Sequence, residues 1–593
     1  MKAIKTTILF LLTTLAMGSC DFLDKEPTKL TPEVYFNNES EATSFLTSIY
    51  APLASQNYYG NSYMDLVAGD DLSHYGGRNP STSGAIACNN ANSSSPYFSR
   101  LWITLYSGID RACTFLEHID KTPEISDATR EQYRSEARFL RAFYYFTLVE
   151  CWGDVPFRTT STNSVAGLDI ERTDKETIYD FIVTEMSECA DNLKTAAELG
   201  YKPGRISRSA AWGTLARVYL FRAGEHYRDN ESGNAEQIKE YFKQAGVYAQ
   251  KVMNEGHALA ANYWDVFIDM CSNNYNTTAN ESIWEVEFAG NYTDEVRAEG
   301  RIGNLLGIKC PDVSNEQSII GKQDPGYGYA YYWSTPKLYD LYVNNNDQER
   351  FYWNLAPFEY VEKTKGKGVT GRKFEKDELE NARAQGWWDK SYTYGEGDVA
   401  NKTGDYEDGT KLNKSRACGK FRREYECQNE KKNKNYTSIN FPLLRYSDVL
   451  LMVAESENEV NNAPTTLAYQ CLNAVRTRAG VDAYAEGSLS KDAFRQAVKD
   501  ERAMELCFEY TRRFDLIRWG EYIKLRWPSR ATEATGTAAT STVSGPTSRS
   551  ATHTTTSPSP IAKSPSTRRS RRIPAGNHII RQTIKRIKDY ETE

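Results

Sequence analysis

Three amphipathic helices in series form the clearest pattern of apolar and polar positions in this chain. An extended apolar segment at 441–445 opens the pattern, and apolar residues with helical spacing follow over 449–456. A threonine at 465–466 can cap a second helix, and Ser490 can cap a third, which the pattern extends as far as Gly520. Because each helix has one apolar face that needs a partner, the segment predicts an antiparallel helical stack.

Six earlier segments show the same helical spacing. Small residues face aromatic ones, and the pattern returns every roughly 30–40 residues, which is typical of tetratricopeptide-like helix pairs, although the strict consensus of that repeat is absent. The segments lie at 39–50, 99–116, 127–151, 175–193, 207–223 and 234–254.

The pattern changes in the middle of the chain, at 261–440. Amphipathic helices almost vanish there, apart from a short one near 335–342, and 282–288 alternates like a strand. Asn, Gly, Tyr and Trp dominate this region, and 58–95 has a similar loop-like composition. Long irregular segments on a rigid scaffold usually carry function, so we expect a binding region here.

The N-terminus has the organisation of a targeting segment. Lys2 and Lys5 precede an apolar stretch at 8–16, which is too short to span a bilayer. The small residues that end at Cys20 resemble a bacterial lipobox, which predicts that Cys20 is lipidated. The alternative is an ordinary secretory cleavage site with an incidental cysteine. Acidic residues within 21–26 resemble the signal that sends lipoproteins of Bacteroidota to the cell surface.

Composition and charge exclude several function classes. The formal net charge of -7 provides no basic surface, so we predict no nucleic-acid partner. The 11 cysteines include no CxxC pair, and five of them fall inside helical apolar patterns, as small buried hydrophobes do. We therefore expect no metal site and no cofactor. The 39 tyrosines and 11 tryptophans exceed the usual needs of a core and suit half-exposed contact surfaces.

Four local matches resemble the SusD/RagB family of surface glycan-binding lipoproteins. They are Cys20 with 21–24; 136–156, which ends in Gly-Asp-Val-Pro; 204–207 with the helix pattern at 210–220; and 441–520, with Arg445-Tyr446-Ser447-Asp448, Arg476-Thr477-Arg478-Ala479-Gly480 and Glu501-Arg502-Ala503-Met504-Glu505-Leu506. The resemblance implies a mainly α fold in which tetratricopeptide-like helix pairs form a right-handed superhelical scaffold beside a loop-rich ligand-binding region. It also implies that the protein has no catalytic activity and acts as the lid of a TonB-dependent (SusC-like) transporter in the outer membrane.

The pattern and the resemblance together predict five parts of the chain. They are a lipoprotein signal peptide at 1–19, an N-terminal helical region at 20–260, a loop-rich ligand-binding region at 261–440, a C-terminal helical region at 441–527, and a tail at 528–593.

The tail departs from the family pattern. Between 528 and 576 there is no Leu, Phe, Tyr, Trp or Met, and Glu533 is the only acidic residue. If each codon is started on the last base of the codon before it, the gene segment for residues 557–576 and the residues that follow can encode a different sequence. That sequence is the apolar, Asn-Pro-containing ending that the family pattern leads us to expect. We therefore interpret 528–593 as the product of a shifted reading frame and predict that it is disordered; a genuine low-complexity tail is the alternative.

Candidate glycan contacts are aromatic and planar polar side chains in the loop-like regions. Tyr329, Tyr331 and Trp333 lie in a Gly-rich aromatic run whose alternate residues would share one face of a strand. Asp71 and Tyr75 lie roughly where the family places ligand contacts. Trp387 is a further platform candidate in 261–440. For each of these residues the alternative is a structural role, as packing beneath a loop or as a loop anchor.

These observations predict a lipid-anchored protein of the cell surface that captures oligosaccharides and delivers them to the transporter. The first alternative is peptide capture by the same architecture. The second is a surface glycoside hydrolase, which would need two paired carboxylates. Asp70 and Asp71 are adjacent in sequence, no motif ties a second acid to them, and no GxSxG, HExxH or P-loop motif occurs, so we predict no catalytic residues.

Overall fold

The computed structural model describes most of the chain up to residue 522. The described residues are 35–67, 69–75, 95–162, 164, 169–229, 234–288, 300–310, 326–356, 358–359, 361–362, 369–370, 380, 401–402, 416–426 and 432–522. The chain divides into two units, 1–529 and 530–593, and all described residues belong to the first. Every helix within the described ranges is too short or too polar to cross a membrane.

Seven helices occupy the described part of the N-terminal region; six of them were predicted from spacing, and the one at Ser62–Val67 lies in a segment that was predicted to be loop-like. They are α1 (Glu39–Ala54), α2 (Ser62–Val67), α3 (Pro96–His118), α4 (Asp127–Trp152), α5 (Lys175–Ala190), α6 (Arg208–Asp229) and α7 (Ala235–Met253), with a 3-10 turn at Ile119–Lys121. Polar side chains accept hydrogen bonds from the first turns of α1, α4 and α5. These caps are Asn38, Ser126 and Asp174.

Neighbouring helices in this series pack against one another. α1 packs on α3, α3 on α4, α4 on α5, α5 on α6, and α6 on α7. Close approach depends on small residues at the contacts: a Cβ at Gly108 on α3 would lie 2.4 Å from the ring of Tyr144 on α4. The mainly α fold class is therefore confirmed, while the right-handed superhelical arrangement stays a prediction.

The stack of N-terminal helices continues with a helix that lies far along the chain. Beyond α7, the next packing partner is not the following segment but α12 (Tyr446–Asn461). The chain returns to the stack through an antiparallel pair between β4 (Ser282–Val286) and β10 (Phe441–Arg445). Both strands were predicted, and together they fix the middle region to the helices on either side of it.

The middle region contains more helix than its pattern predicted. Its helices are α8 (Tyr263–Ser272), α9 (Ile302–Leu306), α10 (Pro336–Asn344) and α11 (Gln348–Asn354), with a 3-10 turn at Arg423–Tyr425. Only α10 was expected. Helix α8 has only ten residues, eight of them buried, so the pattern extends over fewer than three turns.

The remaining strands are short and pair in antiparallel twos. The pairs are β1 (Ser73–Tyr75) with β5 (Tyr332–Ser334), β2 (Val155–Pro156) with β3 (Arg172–Thr173), β6 (Phe358–Glu359) with β9 (Asn401–Lys402), and β7 (Val361–Glu362) with β8 (Val369–Thr370).

The C-terminal helices confirm two predicted caps and correct one predicted helix. Thr465 caps α13 (Thr466–Arg478), and Ser490 caps α14 (Lys491–Leu506). The third helix does not run on to Gly520. It ends at Leu506, and a separate α15 (Arg512–Arg518) follows a reversal at which Phe508 and Tyr510 have φ of 62° and 64°.

Glu509 lies within this break and has a buried partner in β10. Its two oxygens accept from Arg445 at 2.8 Å each, beside the contact that Arg445 makes with Glu505. The guanidinium of Arg445 therefore binds one carboxylate from the last turn of α14 and one from beyond its end.

A buried ion network joins α14 to the middle region. Glu505 accepts from Arg350 and Arg445 at 3.0 Å each and from Arg478 at 2.6 Å. The other members of this Glu505 network are Glu281, Asp347, Lys420, Arg476, Glu501 and Glu509. Five charged residues between 501 and 515 are buried, namely Glu501, Arg502, Glu505, Arg512 and Asp515, whereas Arg513 is half-buried over the ring of Tyr522.

Candidate functional site

Four tyrosines from two separate segments form a continuous row of rings. The ring centroids of Tyr327 and Tyr329 lie 4.6 Å apart, those of Tyr329 and Tyr331 4.9 Å, and those of Tyr331 and Tyr75 5.5 Å. All four side chains are half-buried. We call this set the tyrosine row. It unites three of the predicted site residues, Tyr75, Tyr329 and Tyr331, with Tyr327.

Strand-like alternation places these rings together. Tyr327, Tyr329 and Tyr331 are half-buried, and the intervening Gly328 and Ala330 are buried, as the predicted alternation required. Gly328 pairs with Cys310, and a Cβ at Gly328 would lie 2.3 Å from the carbonyl oxygen of Ile308. Only glycine therefore allows the backbone to approach this closely.

The end of helix α9 holds the segment from behind. The N–H groups of Tyr329 and Tyr331 donate to the carbonyl oxygens of Asn304 and Leu305, at 2.8 Å each. The last carbonyls of a helix lack partners within it, so these two contacts satisfy both elements. The side-chain amide of Asn304 also donates to the carbonyl of Tyr327 at 3.0 Å. No local sequence signal identified Asn304, because its partners lie outside its own helix.

The β1–β5 pair brings Tyr75 to the end of the row. Tyr75 lies opposite Tyr332, and His74 lies opposite Trp333. Trp333 is half-buried, and its indole N–H donates to the carbonyl of Ala330 at 2.7 Å, which fixes the ring. Trp333 follows Tyr331 by two positions in the chain and is not one of the four rings of the tyrosine row.

Asp71 lies just before β1, and its carboxylate is held by cations. Arg512 donates to both oxygens at 2.8 and 2.9 Å, and Lys337 donates at 2.5 Å. Burial opposes ionisation, but the hydrogen bonds and charges of Arg512 and Lys337 outweigh it and lower the pKa of Asp71 to about 2. The side chain is 9% exposed. These contacts favour a structural role for Asp71, and its direct contact with a glycan stays a prediction.

Asp70 shapes the turn that leads into β1. One carboxylate oxygen accepts from the N–H groups of Leu72 and Ser73, at 2.9 and 2.8 Å, and from the hydroxyl of Ser73 at 3.1 Å. Burial and the neighbouring Asp71 charge raise the pKa of Asp70 to about 6. Asp70 and Asp71 therefore have different partners and do not act as a catalytic acid pair.

Two predicted residues, Cys20 and Trp387, lie outside the described part of the chain. Among the residues that the structure does describe, no group of three or more His, Cys, Asp or Glu side chains could hold a metal ion. Seven of the eight described cysteines are buried.

Comparison with known proteins agrees with this architecture over most of the chain. A family model described as the SusD family matches residues 280–567, and one described as "Starch-binding associating with outer membrane" matches residues 21–220. The chain belongs to the SusD family. The first match continues into 528–567, and the shifted-frame interpretation of that segment stays a prediction.

Individual members of the SusD family match nearly the whole chain. SusD-like protein P25 of Formosa agariphila is 26% identical over 537 residues, which cover 87% of this chain and 90% of that protein. A solved SusD homologue from Bacteroides thetaiotaomicron has a TM-score of 0.68 and 26% identity, and the match covers 84% of this chain and 90% of that one. A laminarin-binding SusD-like protein has the same fold, with a TM-score of 0.59, 23% identity, and coverage of 83% and 93%.

Proposed function

We propose that this SusD-family protein is a non-catalytic glycan-binding protein of the cell surface, and that the tyrosine row is its binding platform. The row is the observation that carries the proposal, because it exposes part of four adjacent rings along one line. The starch-binding description of one matching family model and the laminarin-binding relative support a glycan as the ligand. Lipidation at Cys20, outer-membrane anchoring and delivery to a TonB-dependent transporter complete the proposal.

The chemistry of the row suits sugars. Aromatic faces cover the apolar C–H patches of pyranose rings, while tyrosine hydroxyls can donate to and accept from sugar hydroxyls. Neighbouring ring planes in the row are inclined by 63°, 33° and 59°, so the four rings do not form one flat face. Binding of this kind needs no nucleophile and no general acid.

Removing one ring from the middle of the row tests the proposal. Roughly 40 Å² of ring face against a similar area of sugar gives about 2 kcal/mol at about 25 cal/mol per Å². We therefore expect Tyr331→Ala to weaken binding about 30-fold in calorimetry against the tightest glycan in a panel of starch and laminarin oligosaccharides. Tyr248→Ala is the matched control, because Tyr248 is also half-buried but lies on α7.

The outcomes separate the alternatives. Unchanged affinity of a folded Tyr331→Ala protein would show that the row is not the platform. Retention of peptides with no retention of glycans would favour peptide capture, and release of shortened oligosaccharides would indicate a hydrolase.

A further inference from the structure

We propose that Arg512, Asp71 and Lys337 form an ion triad that positions Tyr75 in the tyrosine row without touching the ligand. The proposal rests on the proposed function, because it concerns the same surface. It makes Asp71 and Arg512 positioning residues, and it makes the orientation of Tyr75 depend on α15, the last helix that the structure describes.

The first observation is that β1 cannot hold Tyr75 by itself. β1 and β5 have three residues each, and an isolated two-stranded pair is at best marginally stable in water. Tyr75 is the last residue of β1, so its ring position depends on how firmly the preceding residues are held.

The second observation is that the contacts which hold this segment converge on residues 69–72. The hydroxyl of Tyr522 donates to the carbonyl of Gly69 at 3.0 Å. Thr335 donates from its hydroxyl to the carbonyl of Asp71 and from its backbone N–H to the carbonyl of Leu72, at 2.8 Å each. These are neutral hydrogen bonds, each of which contributes modestly to stability.

The third observation concerns charge. Among the contacts described for residues 69–72, only those of the triad are ion pairs. Lys337 is on α10, directly after β5, and Arg512 opens α15. One carboxylate thus links β1 to the helix behind its partner strand and to the C-terminal scaffold. Arg512 is itself fixed, since it is 6% exposed and donates to the carbonyl of Lys499 at 3.2 Å.

The fourth observation is geometric. Arg512 binds both oxygens of Asp71, and a two-point contact fixes the orientation of the carboxylate as well as its distance. Lysine keeps the charge but has no planar fork, so Arg512→Lys loses orientation while it retains attraction. Asp71 is four positions before Tyr75, so a change in the backbone at Asp71 is passed along β1 to the ring of Tyr75.

A double-mutant cycle on glycan affinity tests the triad. The variants are Asp71→Asn, Tyr75→Ala and the double variant. A thermal unfolding curve first shows that each variant is folded, and calorimetry then measures its glycan affinity. We expect Asp71→Asn to weaken binding about 5- to 30-fold in the wild-type background and to have almost no further effect in Tyr75→Ala, because both changes remove the same contribution. Glu455→Gln, which breaks a buried pair with Arg518 elsewhere, is the control and should leave the affinity unchanged.

Two further variants keep the test decisive. If Asp71→Asn does not fold, Lys337→Gln replaces it, because Lys337 is 41% exposed and its loss is milder. Arg512→Lys should weaken binding in the wild-type background and have almost no further effect in Tyr75→Ala, whereas equal losses in both backgrounds would indicate that Asp71 touches the glycan directly.

The results separate this inference from the proposed function. A wild-type protein that binds no glycan contradicts the proposed function. Glycan binding by the wild type with unchanged affinity in Asp71→Asn, or equal losses in both backgrounds of the cycle, overturns the triad while the proposed function stands.

Discussion

Replacing Glu505 with glutamine removes one buried charge and one of two acceptor oxygens with little change in shape. An amide oxygen in the place of Oε1 can still accept from Arg445 and Arg478, but the amide nitrogen cannot accept from Arg350. The charges of these arginines hold the pKa of Glu505 far below its usual range against the opposing effect of burial, so the residue is ionised at neutral pH. The substitution therefore leaves buried arginines without their shared counter-charge.

The structure sets the size of the expected loss. The Glu505 network contains five cations and five carboxylates, so the substitution leaves one uncompensated positive charge. At an effective dielectric constant of about 20, one pair at 3 Å is worth about 5 kcal/mol before desolvation is subtracted. Breaking a buried ion pair by removing one partner typically costs about 3–5 kcal/mol, and we expect a loss of that size.

Urea unfolding at pH 8 measures this loss. That pH keeps Asp347 ionised, because burial raises its pKa to about 7. Asp492→Asn is the matched control, since Asp492 pairs with Arg495 but is 85% exposed, and an exposed pair is worth about 0–1 kcal/mol. A Glu505→Gln protein within about 1 kcal/mol of that control would refute the reasoning that the network depends on charge balance.

Four further predictions follow from the same structure and sequence. Gly328→Ala should abolish glycan retention in affinity electrophoresis while Gly246→Ala, whose added Cβ has far more room, retains it. The raised pKa of Asp70 means that its ionised form costs stability, so the wild type should gain about 2–3 kcal/mol in unfolding free energy as pH falls from 7 to 4, and Asp70→Asn should lack this gain. Cys20→Ser should abolish metabolic labelling with palmitate and release the protein from the membrane fraction; retained labelling would contradict the lipobox. Resequencing the codons for 522–529 should reveal a frame change, and one intact frame there would exclude it.

The sequence predicted what is encoded locally and missed what depends on distant partners. Thr465 and Ser490 cap their helices because a capping side chain reaches only its own first turn. Three rings of the tyrosine row followed from alternation within one segment, whereas the contact of Tyr75 with Tyr331 did not. The contact of Glu509 with Arg445 was likewise not predicted, because Arg445 lies 64 positions earlier in the chain.

Asp71 shows the same limit at the candidate site. Its position near the binding region was predicted, but its contact with Arg512 was not, because no local pattern joins two residues 441 positions apart. Helix α8 was missed for a different reason, since its ten residues extend the apolar and polar pattern over fewer than three turns.

The distance between Asp71 and Arg512 also orders events during synthesis. At about 5–20 residues per second, roughly 20–90 s separate the translation of the two residues. All four tyrosines of the row exist long before Arg512 does. The contact between Asp71 and Arg512 can therefore form only after all four rings have been made, and a polypeptide that stops short of Arg512 would carry every ring of the row without that contact.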